Sequence, residues 1–255
     1  MARKYFQGRV VSHDALCENV RHIVFEREDR EPVEFKPGQF MMIHFVGREG
    51  VEINRSYSMA DAHTSSPEFA LCVKRVDPDG QGSQLIHGLK VGDSLKMSGP
   101  FGRFCLRDES PKDLVLVATG TGIAPFHCML SELEAILSGG ERRIWLLFGV
   151  RYDEELLYHD TWNALAARYD NFRYRPVVSR PREDGDYKGA VGYVSTFEPE
   201  LRETIDPDDS VAYLCGVPEM VDDMRVRFKE LGLGLRATRT EKYVSPPTKL
   251  PKKDT

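Results

Sequence analysis

The sequence predicts two domains: an antiparallel β-barrel over residues 1–110, then an α/β domain with a parallel sheet over residues 111–255. Three observations carry this. In the first part, short runs of β-branched and aromatic residues alternate with turn signals, the pattern of a barrel. In the second, continuous apolar runs alternate with helical patterns, as right-handed βαβ units require. The character of the chain changes at Ser110-Pro111, which places the boundary at 108–112.

Residues 5–12 (YFQGRVVS) and 20–26 (VRHIVFE) read as strands. Lys36-Pro37-Gly38-Gln39 is turn chemistry before an apolar strand, Phe40 to Phe45. A Gly-containing loop leads to Arg55-Ser56-Tyr57-Ser58. A strand at Glu68–Val76 and a loop from Asp77 to Gly82 follow, with a short helix beginning at Ser83. Val91-Gly92-Asp93 turns into a strand at Ser94–Ser98, ended by Gly99-Pro100-Phe101-Gly102. Beyond the boundary, Leu114–Ala118 is continuously apolar, as a strand buried on both faces should be. Gly120-Thr121-Gly122 precedes a helical pattern from Ala124 to Leu137, closed by Gly139-Gly140. Strands at Ile144–Phe148 and Phe172–Val178 flank a helix through Glu154–Arg168. Val211–Leu214 is a further buried strand, and a helix runs from Pro218 to Leu231. Residues 245–255 are Pro- and Lys-rich and read as a solvated tail.

Composition narrows the function. A formal charge of -5 gives no bulk basic surface for nucleic acid. The five cysteines (Cys17, Cys72, Cys105, Cys128 and Cys215) show no C-x-x-C and no His partner at metal spacing, so no metal or iron–sulfur site is expected. The odd count fits a reducing compartment. The start, MARKYFQGRV, has no apolar core of a signal peptide, and no stretch approaches a membrane span. A cytoplasmic protein without membrane contact is the expectation.

Two stretches carry candidate chemistry. In a strand, Arg55 and Tyr57 share one face and Ser56 and Ser58 the other. A guanidinium takes phosphate oxygens in pairs, and a phenol offers a stacking face with a polar end. The pair suits a ligand with a phosphate and a flat ring, although the same four residues also suit a polar edge strand. Gly120-Thr121-Gly122-Ile123-Ala124-Pro125 lies where a parallel strand ends and a helix begins, the place for a pyrophosphate. It is also an ordinary strand-to-helix turn, with one glycine fewer than the usual dinucleotide fingerprint. Tyr213 to Met220 ends a later strand in the same way, with Cys215 at the tip. A free thiol there is a structural residue or a site residue.

These motifs occur in one order: Arg55-Ser56-Tyr57-Ser58, Leu71-Cys72-Val73-Lys74, Gly80-Gln81-Gly82-Ser83, Gly99-Pro100-Phe101-Gly102, GTGIAP and Cys215-Gly216-Val217-Pro218-Glu219-Met220. In that order the chain resembles the ferredoxin–NADP reductase family of flavoproteins, bacterial type, over residues 5 to 244. The resemblance implies an FAD-binding barrel and a nicotinamide-nucleotide domain. It implies that Arg55 binds the FAD pyrophosphate, with Ser56 beside it. Tyr57 would lie against the isoalloxazine and Ser58 near its reactive nitrogen. Cys72, Val73 and Lys74 would line the FAD chain, and Gly82 and Ser83 would close the anion site. Thr121 and Gly122 would contact the nicotinamide nucleotide, with Gly216, Glu219 and Met220 near them and Cys215 beside the ring carbon that reacts. Tyr243, in Glu241-Lys242-Tyr243-Val244, would cover the outer flavin face. The catalytic set is then Ser58, Cys215 and Tyr243. No residue is assigned to the acidic position that plant-type members carry near their end.

Arg151, Ser179 and Arg180 follow two strand ends on the binding edge, and no acid there matches a reader of the ribose hydroxyl. NADPH is therefore expected rather than NADH. The implied activity passes hydride from NADPH to FAD, then single electrons to a separate ferredoxin or flavodoxin, reversibly in principle. The alternatives are an NADH-dependent reductase component of an oxygenase and a non-catalytic nucleotide-binding or regulatory subunit.

Overall fold

The computed structural model describes residues 5–61, 65–107, 109–182 and 185–243. The tail at 245–255, with its lysines, lies outside them. The first domain is built from β1 (Tyr5–Cys17), β2 (Val20–Arg27), β3 (Phe40–Val46), β4 (Glu52–Ser58), β5 (Glu68–Lys74) and β6 (Ser94–Phe101). Each pairs antiparallel in the order β4-β3-β6-β1-β2-β5. The two edges then meet: Met59 bridges Leu71, and the Ala60 N–H donates to the Ala70 carbonyl at 2.9 Å. That closure removes the open edges a six-stranded sheet would otherwise expose. The inside is filled by Ile23, Phe25, Met41, Ile43, Phe69, Leu71 and Met97, each at most 2% exposed. β1 runs five residues beyond the expected end at Ser12, because irregularities after Val10 and Ala15 let it keep its pairing with β2.

Helix α1 (Gln81–Gly88) starts two residues before the expected Ser83. The Ser83 hydroxyl instead donates to the Gly80 carbonyl at 2.9 Å and accepts from the Val76 N–H at 3.0 Å, which ties the entering loop.

The second domain has β7 (Asp113–Thr119), β8 (Arg143–Val150), β9 (Phe172–Val178), β10 (Ala190–Val191), β11 (Ser210–Gly216) and β12 (Thr238–Lys242). All pair parallel, in the order β10-β9-β8-β7-β11-β12. Strand order reverses between β7 and β11, so the crevice for a ligand opens at their carboxyl ends. Successive residues of β7 feed opposite faces. Leu114, Leu116 and Ala118 pack with α2 (Ala124–Cys128), α3 (Leu130–Ser138) and α4 (His159–Arg168). Val115 and Val117 pack with α5 (Glu198–Thr204) and α6 (Pro218–Leu231). This is why the run reads as continuously apolar.

Two helices differ from the sequence reading. The expected helix Ala124–Leu137 is two, because Met129 (φ -81, ψ 1) leaves helical geometry between α2 and α3. The expected helix Glu154–Arg168 begins as a 3-10 turn, Asp153–Glu155, and restarts at His159 after Tyr158, whose φ is 56. The turn forms because the Glu155 side chain folds back onto the loop amides.

The domains share a packed seam. Val20, Ala60, Ala70 and Cys72 of the barrel join the cluster of α2, α3 and α4. The Tyr158 ring stacks on His127 at 3.8 Å, and its hydroxyl lies 3.0 Å from His22 Nδ1. Burial lowers the pKa of both histidines, so the seam holds them neutral.

Candidate active site

The barrel half of the candidate site gathers groups that suit an anion. A Cβ added to Gly82 would lie 2.8 Å from Arg55 Cγ and 3.2 Å from the Tyr57 hydroxyl. Glycine therefore lets both side chains lie over the first turn of α1. That turn has N–H groups without intrahelical partners. Arg55 has no carboxylate partner among the described residues; its Nη1 donates only to its neighbour's carbonyl, Asn54 O, at 2.9 Å. Guanidinium, phenol and helix amides together fit the pyrophosphate and flat ring of a flavin nucleotide. Burial pushes the Tyr57 phenol up to about 12, so it stays protonated. Ser56 is exposed on the other face.

In the neighbouring β5, the side chains of Cys72, Val73 and Lys74 have partners of their own. Val73 is fully buried in the barrel core, and its carbonyl accepts from His87 at 2.9 Å. The Cys72 thiol faces the seam, and burial pushes it up to about 12. The Lys74 ammonium turns away to Glu155 Oε1 at 2.6 Å.

The α/β half is a tight meeting of two strand tips. A Cβ on Gly122 would lie 2.2 Å from the Cys215 carbonyl oxygen, so the GTG turn and the Cys215-Gly216 tip can touch only with glycine there. Gly216 has φ +148, a region L side chains rarely adopt. Thr119, unremarked in the sequence, accepts the Val217 N–H on its Oγ1 at 3.2 Å and locks the tip. Thr121 is half-buried beside the tip. Glu219 stands exposed in the first turn of α6, while Met220 is buried against Gly216.

The halves join through four side chains. Ser58, only 6% exposed, ends β4. The Tyr243 hydroxyl donates to Ser58 Oγ at 2.7 Å, and Ser58 donates to Glu241 Oε1 at 3.1 Å. The Tyr243 N–H donates to the Gly216 carbonyl at 2.8 Å, extending β12 beside the tip. The Cys215 thiol meets the Tyr243 hydroxyl. The structure thus brings Ser58, Cys215 and Tyr243 together and adds Glu241. Burial raises Glu241, and the Ser58 hydrogen bond opposes this. Burial, then the Glu241 charge, raises Cys215 well above the ordinary thiol range, so it is a neutral thiol. No sequence pattern marks Glu241, because Thr238–Lys242 carries no apolar residue to show an alternation.

Arg151 and Arg180 lie together at the binding edge. The Arg180 N–H donates to the Arg151 carbonyl at 2.8 Å, and Ser179 Oγ lies 3.3 Å from the Val150 carbonyl. Both guanidiniums are exposed and have no carboxylate partner among the described residues. A cavity of about 340 Å³, lined in part by Arg107, Glu109, Asp209 and Arg239, lies at the opposite edge of the sheet and touches none of these residues. Among the described residues, no helix is long and apolar enough to cross a membrane, and no group of three His, Cys, Asp or Glu residues could hold a metal.

Both halves match models of known domains. Residues 7–105 match an oxidoreductase FAD-binding domain and residues 116–226 an oxidoreductase NAD-binding domain. The class is therefore that of two-domain flavoprotein oxidoreductases. The chain is 35% identical to ferredoxin–NADP reductase B of Sorangium cellulosum, over 93% of this chain and 97% of that one. It is 33% identical to the reductase component DmpP of phenol 2-monooxygenase from a Pseudomonas species, over 79% of this chain but only 54% of that protein. A ferredoxin–NADP reductase from Neisseria gonorrhoeae, solved with FAD and NADP, superposes with a TM-score of 0.76 at 25% identity. That match covers 94% of this chain and 98% of the other. The chain belongs to the ferredoxin–NADP reductase family.

Proposed function

We propose that this flavoprotein reductase takes electrons from NADPH and delivers them singly to a separate ferredoxin or flavodoxin. The observation that carries the reading is the hydrogen-bonded junction of Ser58, Glu241 and Tyr243, with Tyr243 packed against the cluster that holds Cys215, where the barrel and the nucleotide tip meet. When bound, FAD supplies the chemistry, accepting two electrons from the nicotinamide and passing them on one at a time. Arg55, Tyr57 and the first turn of α1 would hold it. The protein contributes chiefly position. Gly122 and Gly216 keep backbone close to the nicotinamide nucleotide, and the neutral Cys215 thiol borders that place without competing as a nucleophile. Ser58 holds a hydrogen-bond network at the seam, with Glu241 as its one carboxylate. Tyr243 stands between the two halves and would move aside for the nicotinamide.

Arg151 and Arg180, unpaired at the edge, favour a 2′-phosphate and hence NADPH. Rates with NADPH and NADH under anaerobic conditions test this, followed by addition of ferredoxin and flavodoxin. A higher kcat/KM with NADPH and reduction of either carrier is expected; an NADH preference overturns the nucleotide assignment. The second reading, an NADH-dependent reductase component serving an oxygenase, draws on the likeness to the phenol monooxygenase component, of which this chain spans about half. We further propose that the protein works in the cytoplasm, and that its carrier is a separate protein.

A further inference from the structure

The loop that carries Arg151 is tied down from the other domain. Glu155 is 8% exposed. Its Oε2 accepts the N–H groups of Arg151 at 3.3 Å and Tyr152 at 3.4 Å. Its Oε1 accepts the Lys74 ammonium at 2.6 Å. Lys74 ends β5, the barrel strand that carries Cys72 and Val73. One carboxylate therefore spans the seam and frames the loop after β8. The frame reaches further, because the Arg151 carbonyl accepts the Arg180 N–H at 2.8 Å.

We infer that Glu155, clamped by Lys74, is a positioning residue for recognition of a nucleotide 2′-phosphate by Arg151 and Arg180. The inference rests on the reading of those arginines as the phosphate site. Its physical basis is preorganisation. Two long side chains lose less freedom on binding a phosphate when their shared backbone is already fixed. A plain ion pair would be a weak device here, since Lys74 is 40% exposed and solvent screens its charge. The two amide contacts are what an ion pair alone does not need. Burial pushes Glu155 up, but Lys74 and these amides outweigh it and hold the carboxyl below its ordinary range. The clamp is thus charged at neutral pH. It also links nucleotide recognition to the seating of the barrel, because a domain shift that parts Lys74 from Glu155 releases the loop.

The test is calorimetric binding of 2′,5′-ADP and 5′-AMP to the FAD-loaded full chain. The proteins are wild type, Glu155→Gln, the double variant Lys74→Met/Glu155→Gln, Arg151→Ala and Arg180→Ala. Positioning predicts that Glu155→Gln weakens 2′,5′-ADP about fivefold, as loss of a good hydrogen-bond contribution does. The double variant, which keeps the net charge, should lose as much, with 5′-AMP unchanged within about twofold. KM for NADPH should rise with the same factor while kcat holds. If Glu155→Gln tightens 2′,5′-ADP and the double variant restores the wild-type value, Glu155 is only a nearby charge and the inference fails. Equal weakening of both ligands, or no change in either, also overturns it. If Arg151→Ala and Arg180→Ala leave the ratio of the two affinities unchanged, the phosphate site itself is misread and the inference falls with it. If they shift the ratio and Glu155→Gln does not, the inference alone falls.

Discussion

The arginines within the parallel sheet and two of those beyond its carboxyl end are treated in opposite ways. At its amino-terminal end, Arg143 opens β8 and forks onto Asp113 with contacts of 2.7 and 2.8 Å. In the middle of the neighbouring β9, Arg175 forks onto Glu200 through Nε and Nη2. At the carboxyl end of the same two strands, Arg151 and Arg180 are exposed and meet no carboxylate among the described residues. Within the sheet Arg143 and Arg175 are spent on the fold; beyond its carboxyl end Arg182 pairs with Glu154 at 2.6 Å, while Arg151 and Arg180 are left available. A guanidinium without a partner is cheap only where water still reaches it, so availability and exposure go together. Arg55 repeats the pattern in the barrel, over the helix that begins at Gln81.

The comparison breaks first on stability. Asp113 is fully buried, so Arg143→Ala leaves a buried carboxylate without its fork and should cost about 3–5 kcal/mol. At this chain length, that lowers Tm by roughly 10 °C. A thermal melt checks it; a Tm within about 2 °C of wild type would mean the fork contributes little. At the other edge, Arg180→Ala should leave Tm within that margin, since it removes no partnered group. It should instead raise KM for NADPH by about ten- to a hundredfold, the loss of a charged hydrogen bond, with KM for NADH nearly unmoved. Equal effects on both nucleotides would remove the distinction between the edges. Arg55→Ala should lower FAD affinity about tenfold, read by flavin fluorescence on dilution, again without a fall in the stability of the FAD-free chain. Full flavin retention would return Arg55 to an ordinary edge-strand charge.

How much of this could be read beforehand follows from where each signal lives. The barrel strands and the buried strands of the sheet announce themselves through local alternation or continuous apolarity, and their order was legible. β12 was not legible as a strand: Thr238 to Lys242 contains no apolar residue, and only its pairing with β11 makes it extended. α5, Glu198–Thr204, is short and nearly all polar, and packs by Leu201 alone. The 3-10 turn before Tyr158 is set by a side chain folding back onto its own loop, which periodicity does not see. Ser58, Cys215 and Tyr243 were singled out by motif, and the fold brings them together as a candidate site. Glu241 was not assigned, because its environment comes from Ser58, which is 183 residues away in the chain. In the sequence Glu155 is one charge in an acidic run, Asp153-Glu154-Glu155. Its hold on two amides is local to the turn, but its ion pair arises only when the barrel supplies Lys74.

The smallest effect tests the junction itself. Burial raises the folded-state pKa of Glu241 above its ordinary value, with the Ser58 hydrogen bond acting against it. The native state therefore binds a proton there more tightly than the unfolded chain does. Stability from this group is fully present below the unfolded pKa, near 4.5, and is lost as pH rises through the folded one. Above that window the buried carboxylate is a cost that Glu241→Gln removes. The variant should melt at the same temperature as wild type near pH 4 and slightly higher at pH 8. A variant that melts lower at both pH values would show that the charged carboxylate holds Ser58 and Tyr243 in place more strongly than burial penalises it. Glu241 would then resemble the paired acids at the far edge of the sheet, and the division between arginines and acids that build the fold and those kept for the site would no longer follow from burial alone.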